Sequence, residues 1–273
     1  LYGVDYEETF SPVTDIRAIR ILKSIATFYD YEIRQMNVKI PFLNGYLDED
    51  IYMAPPEGLV NPNHPRKASG SNVTFLILYV NDIIIMENHI SSLQSVKDYL
   101  GKCFAIKDLG ETTFILGIKI YRDRSKQLIR LGQNAYMKKI LKRYKVDNSK
   151  RGHIPMQERL GLNRTQSAST PKNVKRMQNV PYASAVGSIM YAVRCTRPDV
   201  AFKQNITSRF QQNLDESHWI TMKNILKYLR NTKDLFLVDG RNRKDELRVD
   251  CYCNAGFETD VDDMKSLTGY VLF

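Results

Sequence analysis

The chain has 273 residues, 43% hydrophobic and 26% charged, enough apolar content for the core of one large domain or two small ones. Forty Lys and Arg against thirty Asp and Glu give a net charge of +10, which favours a polyanionic partner such as nucleic acid. Four cysteines are too few for a disulfide scaffold at this length, and no apolar run of about 18 residues suggests a membrane span.

Leu1-Tyr2-Gly3-Val4-Asp5 carries no start methionine and no basic-then-apolar leader, so it reads as the interior of a longer product. Asp15 is placed to cap a helix running to about Tyr29, with Ile19, Leu22, Ile25, Ala26 and Tyr29 on one face. An extended stretch, Tyr31 to Val38, follows. Pro55 to Asn72 holds four prolines and little apolar content and reads as a long loop. Val73 to Val80 and Ile83 to Met86 are apolar and β-rich. Asn81-Asp82 between them predicts a two-residue hairpin turn, because Asn and Asp tolerate positive φ.

Ser91 or Ser92 can cap a helix through Leu93, Val96, Tyr99 and Leu100. Thr113 to Tyr121 alternates, with Phe114, Leu116, Ile118 and Ile120 on one strand face. Asp123-Arg124-Ser125 turns the chain into a strand around Leu128 to Leu131. Residues 133–145 predict a basic helix with Tyr136, Ile140, Leu141 and Tyr144 inward. Residues 151–178 are polar and read as a linker. Helices are predicted over 182–193, over 198–212 opening on Pro198, and over 216–231. Strands follow at Leu235 to Val238, Leu247 to Cys253 and Thr268 to Phe273.

Cys251-x-Cys253 has no second Cys/His pair at zinc spacing. The cysteines therefore read as reduced thiols of an intracellular protein, cytoplasmic or nuclear. The hairpin admits two readings. Asn-Asp between apolar strands is a good turn in its own right. A carboxylate on such a hairpin beside another strand is also how a polymerase palm holds Mg²⁺, which clamps the attacking and leaving oxygens of nucleotidyl transfer.

Tyr79-Val80-Asn81-Asp82 resembles the Tyr-Val-Asp-Asp box of copia-type retrotransposon reverse transcriptases. Gln35-Met36-Asn37-Val38-Lys39-Ile40-Pro41-Phe42-Leu43-Asn44-Gly45 is similar to that family's Gln-Met-Asp-Val-Lys-Thr-Ala-Phe-Leu-Asn-Gly strand. Further matches are Tyr6 to Pro12, Ile51-Tyr52-Met53 with Pro56-Glu57-Gly58, Lys107-Asp108-Leu109-Gly110, Ile115-Leu116-Gly117, Pro181 to Ser188, Cys195-Thr196-Arg197-Pro198-Asp199 and Thr268-Gly269-Tyr270-Val271. They occur in family order. The resemblance implies a Pol polyprotein segment, with Mg²⁺ as cofactor and an RNA template, a DNA primer and deoxynucleotides as substrates. No membrane partner is expected. By the same mapping Asn37, Asn81 and Asp82 stand at the three metal-ligand positions, with Asp82 the one remaining acidic ligand. Phe42 stands where an aromatic closes on the sugar, and Lys39 beside the incoming triphosphate. Core packing for Phe42 and a solvated charge for Lys39 are the competing readings. Cys251 to Phe257 resembles the start of the family's RNase H domain, with Asn254 at its first metal-ligand position.

The departures from the family pattern point to lost activity. Asn37, Asn81 and Asn254 each replace a carboxylate by a neutral amide. One unit-charge pair about 4 Å apart is worth roughly 4 kcal/mol at an effective dielectric of about 20, before desolvation. Gly58 and Phe75 are separated by only sixteen residues, and the family's Leu-Tyr-Gly-Leu-Lys-Gln-Ala segment is missing, so a deletion is expected near 58–72. The RNase H portion ends before its next carboxylate-bearing helix.

The expected fold is α+β. Residues 1–150 would form a partial palm of antiparallel sheet and helices, 151–233 a linker and helical connection, and 234–273 a truncated RNase H-like sheet. Three functional readings follow: a reverse transcriptase with RNase H, silenced at its metal positions; a non-catalytic nucleic-acid-binding protein reused by the host; and an unselected relic.

Overall fold

The computed structural model describes residues 16–39, 73–155, 162, 166, 170–212, 214–240, 251–260 and 265–272. The Asp15 cap, the Pro55–Asn72 loop with its expected deletion, and Phe42 lie outside them. The described elements are mixed helix and strand, the α+β class expected. The chain divides into two compact units, Leu1–Ile115 with Arg122–Ile129, and Leu116–Tyr121 with Arg130–Phe273.

In the first unit, helix α1 (Ile16–Phe28) leads into strand β1 (Glu32–Val38). The helix ends because Asp30 turns left-handed at φ 55°; Asp30 N–H then donates to Thr27 and Tyr31 N–H to Ala26. This is a Schellman cap with Asp where Gly is usual. The buried stripe is Ile19, Lys23, Ala26 and Thr27, and Tyr29 is 52% exposed. The predicted face is therefore rotated, and it takes in a lysine.

Burial lowers the Lys23 pKa to about 7, against roughly 10.4 for a free lysine. Between roughly pH 7 and 10 the unfolded chain binds more protons than the folded one, so stability rises with pH across that window. Lys23→Met should flatten that rise and stabilise the protein at neutral pH. Urea unfolding of both proteins at about pH 6 and 9.5 checks it; equal pH dependence in the two would contradict the shift.

Strands β2 (Thr74–Tyr79) and β3 (Asp82–Glu87) form the predicted hairpin, and β4 (Ile106–Glu111) completes an antiparallel sheet of order β2-β3-β1-β4. Ile83 to Met86 is one continuous apolar run because β3 lies inside this sheet with those four side chains buried. Helix α2 (Ile90–Cys103) places Leu93 and Leu100 against Met36, Val38, Ile83 and Ile85. Its N-cap is His89, not Ser91 or Ser92. The Glu87 carboxylate accepts the Asn88 and His89 N–H groups at 3.1 and 3.2 Å, so the helix start is satisfied from β3. In β4, Lys107-Asp108-Leu109-Gly110 makes a bulge. The register against β1 skips Leu109, Gly110 takes φ 77°, and Asp108 accepts the Gly110 N–H while pairing with Lys97.

The predicted single strand over 113–121 is two. Leu116 and Gly117 both take positive φ, 50° and 71°. They form a tight turn between β5 (Phe114–Ile115) and β6 (Ile118–Asp123). Phe114 is therefore exposed and Ile115 buried. With β7 (Leu128–Gly132) and β8 (Phe236–Gly240) these strands form a sheet in the order β5-β6-β7-β8.

The second unit is built on α3 (Asn134–Arg143), α5 (Tyr182–Cys195) and α7 (Glu216–Asn231), which share one core including Met137, Ile140, Leu141, Ile189, Ile225 and Leu229. Helix α4 (Pro171–Gln178), with Thr170 as N-cap and Pro171 in the first turn, interrupts the predicted linker. A 3-10 turn, Pro198–Val200, leads into α6 (Ala201–Ser208). The Pro181–Ser188 segment packs α5: the Tyr144 hydroxyl meets Ser184 and Ser188 at 2.9 and 3.0 Å, and the Tyr182 hydroxyl donates to the Thr207 carbonyl at 2.8 Å. Burial pushes the Tyr182 phenol well above its ordinary pKa. Strands β9 (Cys251–Asp260) and β10 (Lys265–Leu272) form an antiparallel pair. Among the described residues, no helix is long and apolar enough to cross a membrane.

Candidate functional site

Strand β1 lies between β3 and β4, so Asn37 stands opposite Asp82 on one side and Lys107 on the other. The hairpin turn is displaced by one residue from its predicted place. Val80 and Asn81 make it, with Val80 at φ 52° and 65% exposed. Asp82 is therefore not at the tip. It opens β3, half-buried, paired across the hairpin with Tyr79. The turn is pinned to the central strand, because the Asn81 carbonyl accepts the Val38 N–H at 2.8 Å.

The Asp82 Oδ1 accepts two amide hydrogens, from Asn37 Nδ2 at 3.1 Å and from Gln35 Nε2 at 3.1 Å. Only the NH₂ end of an amide can donate to a carboxylate, so this contact orients both amides with nitrogen toward Asp82. Gln35 is the residue that sequence reasoning missed. It is 6% exposed and lies two residues before Asn37, on the same strand face by the period of two. That spacing is the signal that would have found it.

The structure thus brings Asn37, Asn81 and Asp82 together. Lys39 follows β1, exposed, its N–H donating to the Ala105 carbonyl at 2.8 Å. Asn254 is on β9 opposite Gly269.

Mg²⁺ takes anionic oxygens in octahedral geometry. At this site two amide nitrogens are turned toward one carboxylate. Among the described residues, no cluster of three or more His, Cys, Asp or Glu is placed to hold a metal ion. The described donor set does not fit a pair of divalent ions.

A family model described as "Reverse transcriptase (RNA-dependent DNA polymerase)" matches residues 1–69 and 66–158. The chain is 34% identical over 313 aligned positions, 98% of its length, to the "Retrovirus-related Pol polyprotein from transposon TNT 1-94" of Nicotiana tabacum. It is 28% identical over 99% of its length to the Pol polyprotein from transposon RE2 of Arabidopsis thaliana. It spans 23% and 21% of those two polyproteins. The "Putative transposon Ty5-1 protein YCL074W" of Saccharomyces cerevisiae is 23% identical, over 86% of this chain and 88% of that protein. No solved structure matches the chain. Reverse transcriptases generally act on nucleic acids with divalent metal ions. The hairpin beside β1, the family match and the Pol relatives agree: this chain belongs to the reverse transcriptase family, among the Pol polyproteins of copia-type retrotransposons.

Proposed function

We propose that the chain is a remnant of a copia-type reverse transcriptase that no longer performs two-metal nucleotidyl transfer. The observation that carries this is the pair of amide hydrogens from Gln35 and Asn37 on the Asp82 carboxylate. Where a working palm gathers negative oxygen around cations, this site engages its carboxylate with two amide N–H donors. Loss of even several kcal/mol of ion binding in the transition state costs thousands-fold in rate, at about 1.4 kcal/mol per factor of ten.

The comparisons support the expected loss of a palm segment. The family model matches in two pieces that meet at residues 66–69. The alignment to the tobacco relative spans 313 positions against 273 residues here, so at least 40 positions of it face gaps in this chain. Asn254 supports a silenced RNase H start by the same amide-for-carboxylate argument. RNA template and DNA primer are the ancestral substrates, and Mg²⁺ the ancestral cofactor. An intracellular setting, cytoplasmic or nuclear, accords with a chain whose four cysteines are too few for a disulfide scaffold. The protein is a relic, with no selected catalysis.

A primer-extension assay on an RNA template with a DNA primer, in Mg²⁺ and separately in Mn²⁺, tests this. The expected result is no extension above the protein-free control. Template-dependent synthesis would overturn it.

A further inference from the structure

We infer that an open cleft of about 310 Å³ in the second unit is a phosphate-binding site. It is lined by Lys138 and Lys142 of α3, Arg151 of the following loop, and Arg230 and Lys233 at the end of α7, with Asp147 and Leu141. Five cationic side chains against one carboxylate leave an excess of four positive charges around one small space. Among the described residues, Lys138, Lys142, Arg151 and Arg230 form no ion pair, and Lys233 has only a 3.8 Å contact with the exposed Asp234.

Helix-end electrostatics do not account for this cluster. Cations near helix C-termini are favoured by the backbone dipole, and that suffices for Lys142 and Arg230. It does not explain Lys138, which lies in the middle of α3, or Arg151, which is on a loop. Lys138 and Lys142 are four apart on one helix face, a like-charge spacing that is unfavourable without an anion.

The cleft wall is built rather than incidental. Lys145 takes φ 56°, and the Lys145 and Val146 N–H groups donate to the Lys142 and Leu141 carbonyls, a Schellman cap that turns the chain back at the end of α3. The loop is then fastened to α7. Gly152 N–H donates to the Lys227 carbonyl at 3.1 Å, and the Arg230 guanidinium donates to the Ser149 carbonyl. A Cβ at Gly152 would stand 2.9 Å from the Tyr228 backbone nitrogen, so glycine is what admits this contact. Holding Arg230 and the backbone beside Arg151 before a ligand arrives lowers the ordering cost of binding. Guanidinium and ammonium donors on one concave surface match phosphate oxygens. The phosphate can belong to a nucleic-acid strand or to a free polyphosphate. The site uses none of the groups around Asp82, so it stands or falls apart from polymerase chemistry.

The test uses the full chain and two double variants of equal charge change on one helix. Lys138→Glu with Lys142→Glu reverses the cleft. Lys139→Glu with Arg143→Glu changes α3 residues that do not line it and are exposed. Binding to a labelled single-stranded DNA, an RNA–DNA hybrid and tripolyphosphate is read by anisotropy or calorimetry between about 50 and 200 mM salt. The cleft variant should weaken binding by about tenfold or more and lower the salt slope by roughly two, while the control pair changes it less than about twofold. Sensitivity confined to the nucleic acids identifies a phosphodiester occupant, and sensitivity confined to tripolyphosphate a free one. Equal losses in both variants, or no binding by the unaltered protein to any of the three probes, would overturn the site.

Discussion

Arg197→Met should lower the stability of the protein by about 3 kcal/mol, the lower end of the cost of removing one partner from a buried ion pair. The Arg197 side chain is 4% exposed. Its Nε and Nη2 donate to the two Asp199 carboxylate oxygens at 2.9 and 2.6 Å, and Nη1 and Nη2 donate to the Thr232 carbonyl and hydroxyl at 3.1 and 2.6 Å. The Tyr228 hydroxyl completes the carboxylate's shell at 2.9 Å. One guanidinium therefore ties the turn before α6 to the end of α7, with four hydrogen bonds lost on substitution. Asp199 is 34% exposed, so water can partly replace the arginine, which is why the lower end of the range applies.

The same pair sets an acid dependence. Burial disfavours the Asp199 charge, but hydrogen bonding and the charge of Arg197, with the Tyr228 hydroxyl, outweigh it and hold the carboxyl below its ordinary pKa. A depressed carboxyl contributes stability that is present above the unfolded pKa of about 3.9 and is lost as pH falls through the lower folded value. Urea unfolding at neutral pH and near pH 3 should show wild type losing more stability on acidification than Arg197→Met. A variant within about 1 kcal/mol of wild type at neutral pH would contradict a buried, working pair.

Restoring carboxylates at Asn37 and Asn81 should create a magnesium dependence that the natural chain lacks. Asn37→Asp replaces a donor 3.1 Å from Asp82 by a second carboxylate, which in the absence of cations repels it. The double variant Asn37→Asp with Asn81→Asp should therefore unfold at lower temperature than wild type in chelator. Millimolar Mg²⁺ should then raise its melting temperature, because an ion that binds only the folded state stabilises by mass action. A Kd about a hundredfold below the ion concentration is worth about 2.7 kcal/mol. Wild type should melt at the same temperature with and without Mg²⁺. Differential scanning calorimetry at both conditions decides it. Magnesium stabilisation of the unaltered protein would show that amides at 35 and 37 do not block the ion.

Much of the fold is local and was legible for that reason. The helices over α3, α5 and α7 follow from apolar residues at helical spacing, and the β2-β3 hairpin from two apolar runs around a polar pair. Motif order mapped Asn37 and Asp82 to one site, and the strand register sets the two opposite each other. The errors arose where a local preference met a global constraint. Asn81-Asp82 is the better turn by composition. Yet β3 must begin at Asp82 to keep Ile83 and Ile85 on the α2 side of the sheet, so the left-handed backbone fell on Val80.

From sequence alone came the family, the α+β class and the three amide-for-carboxylate replacements, because each is a matter of residue identity and order. Tertiary structure alone decided that Lys23 is buried and that Arg197 and Asp199 brace α7. It also gathered Lys138, Arg151 and Arg230 around one cleft. Those groupings join residues far apart in the chain through packing and backbone contacts such as Gly152 on Lys227. Charge and burial depend on distance in space, and no periodicity in the sequence encodes such a distance.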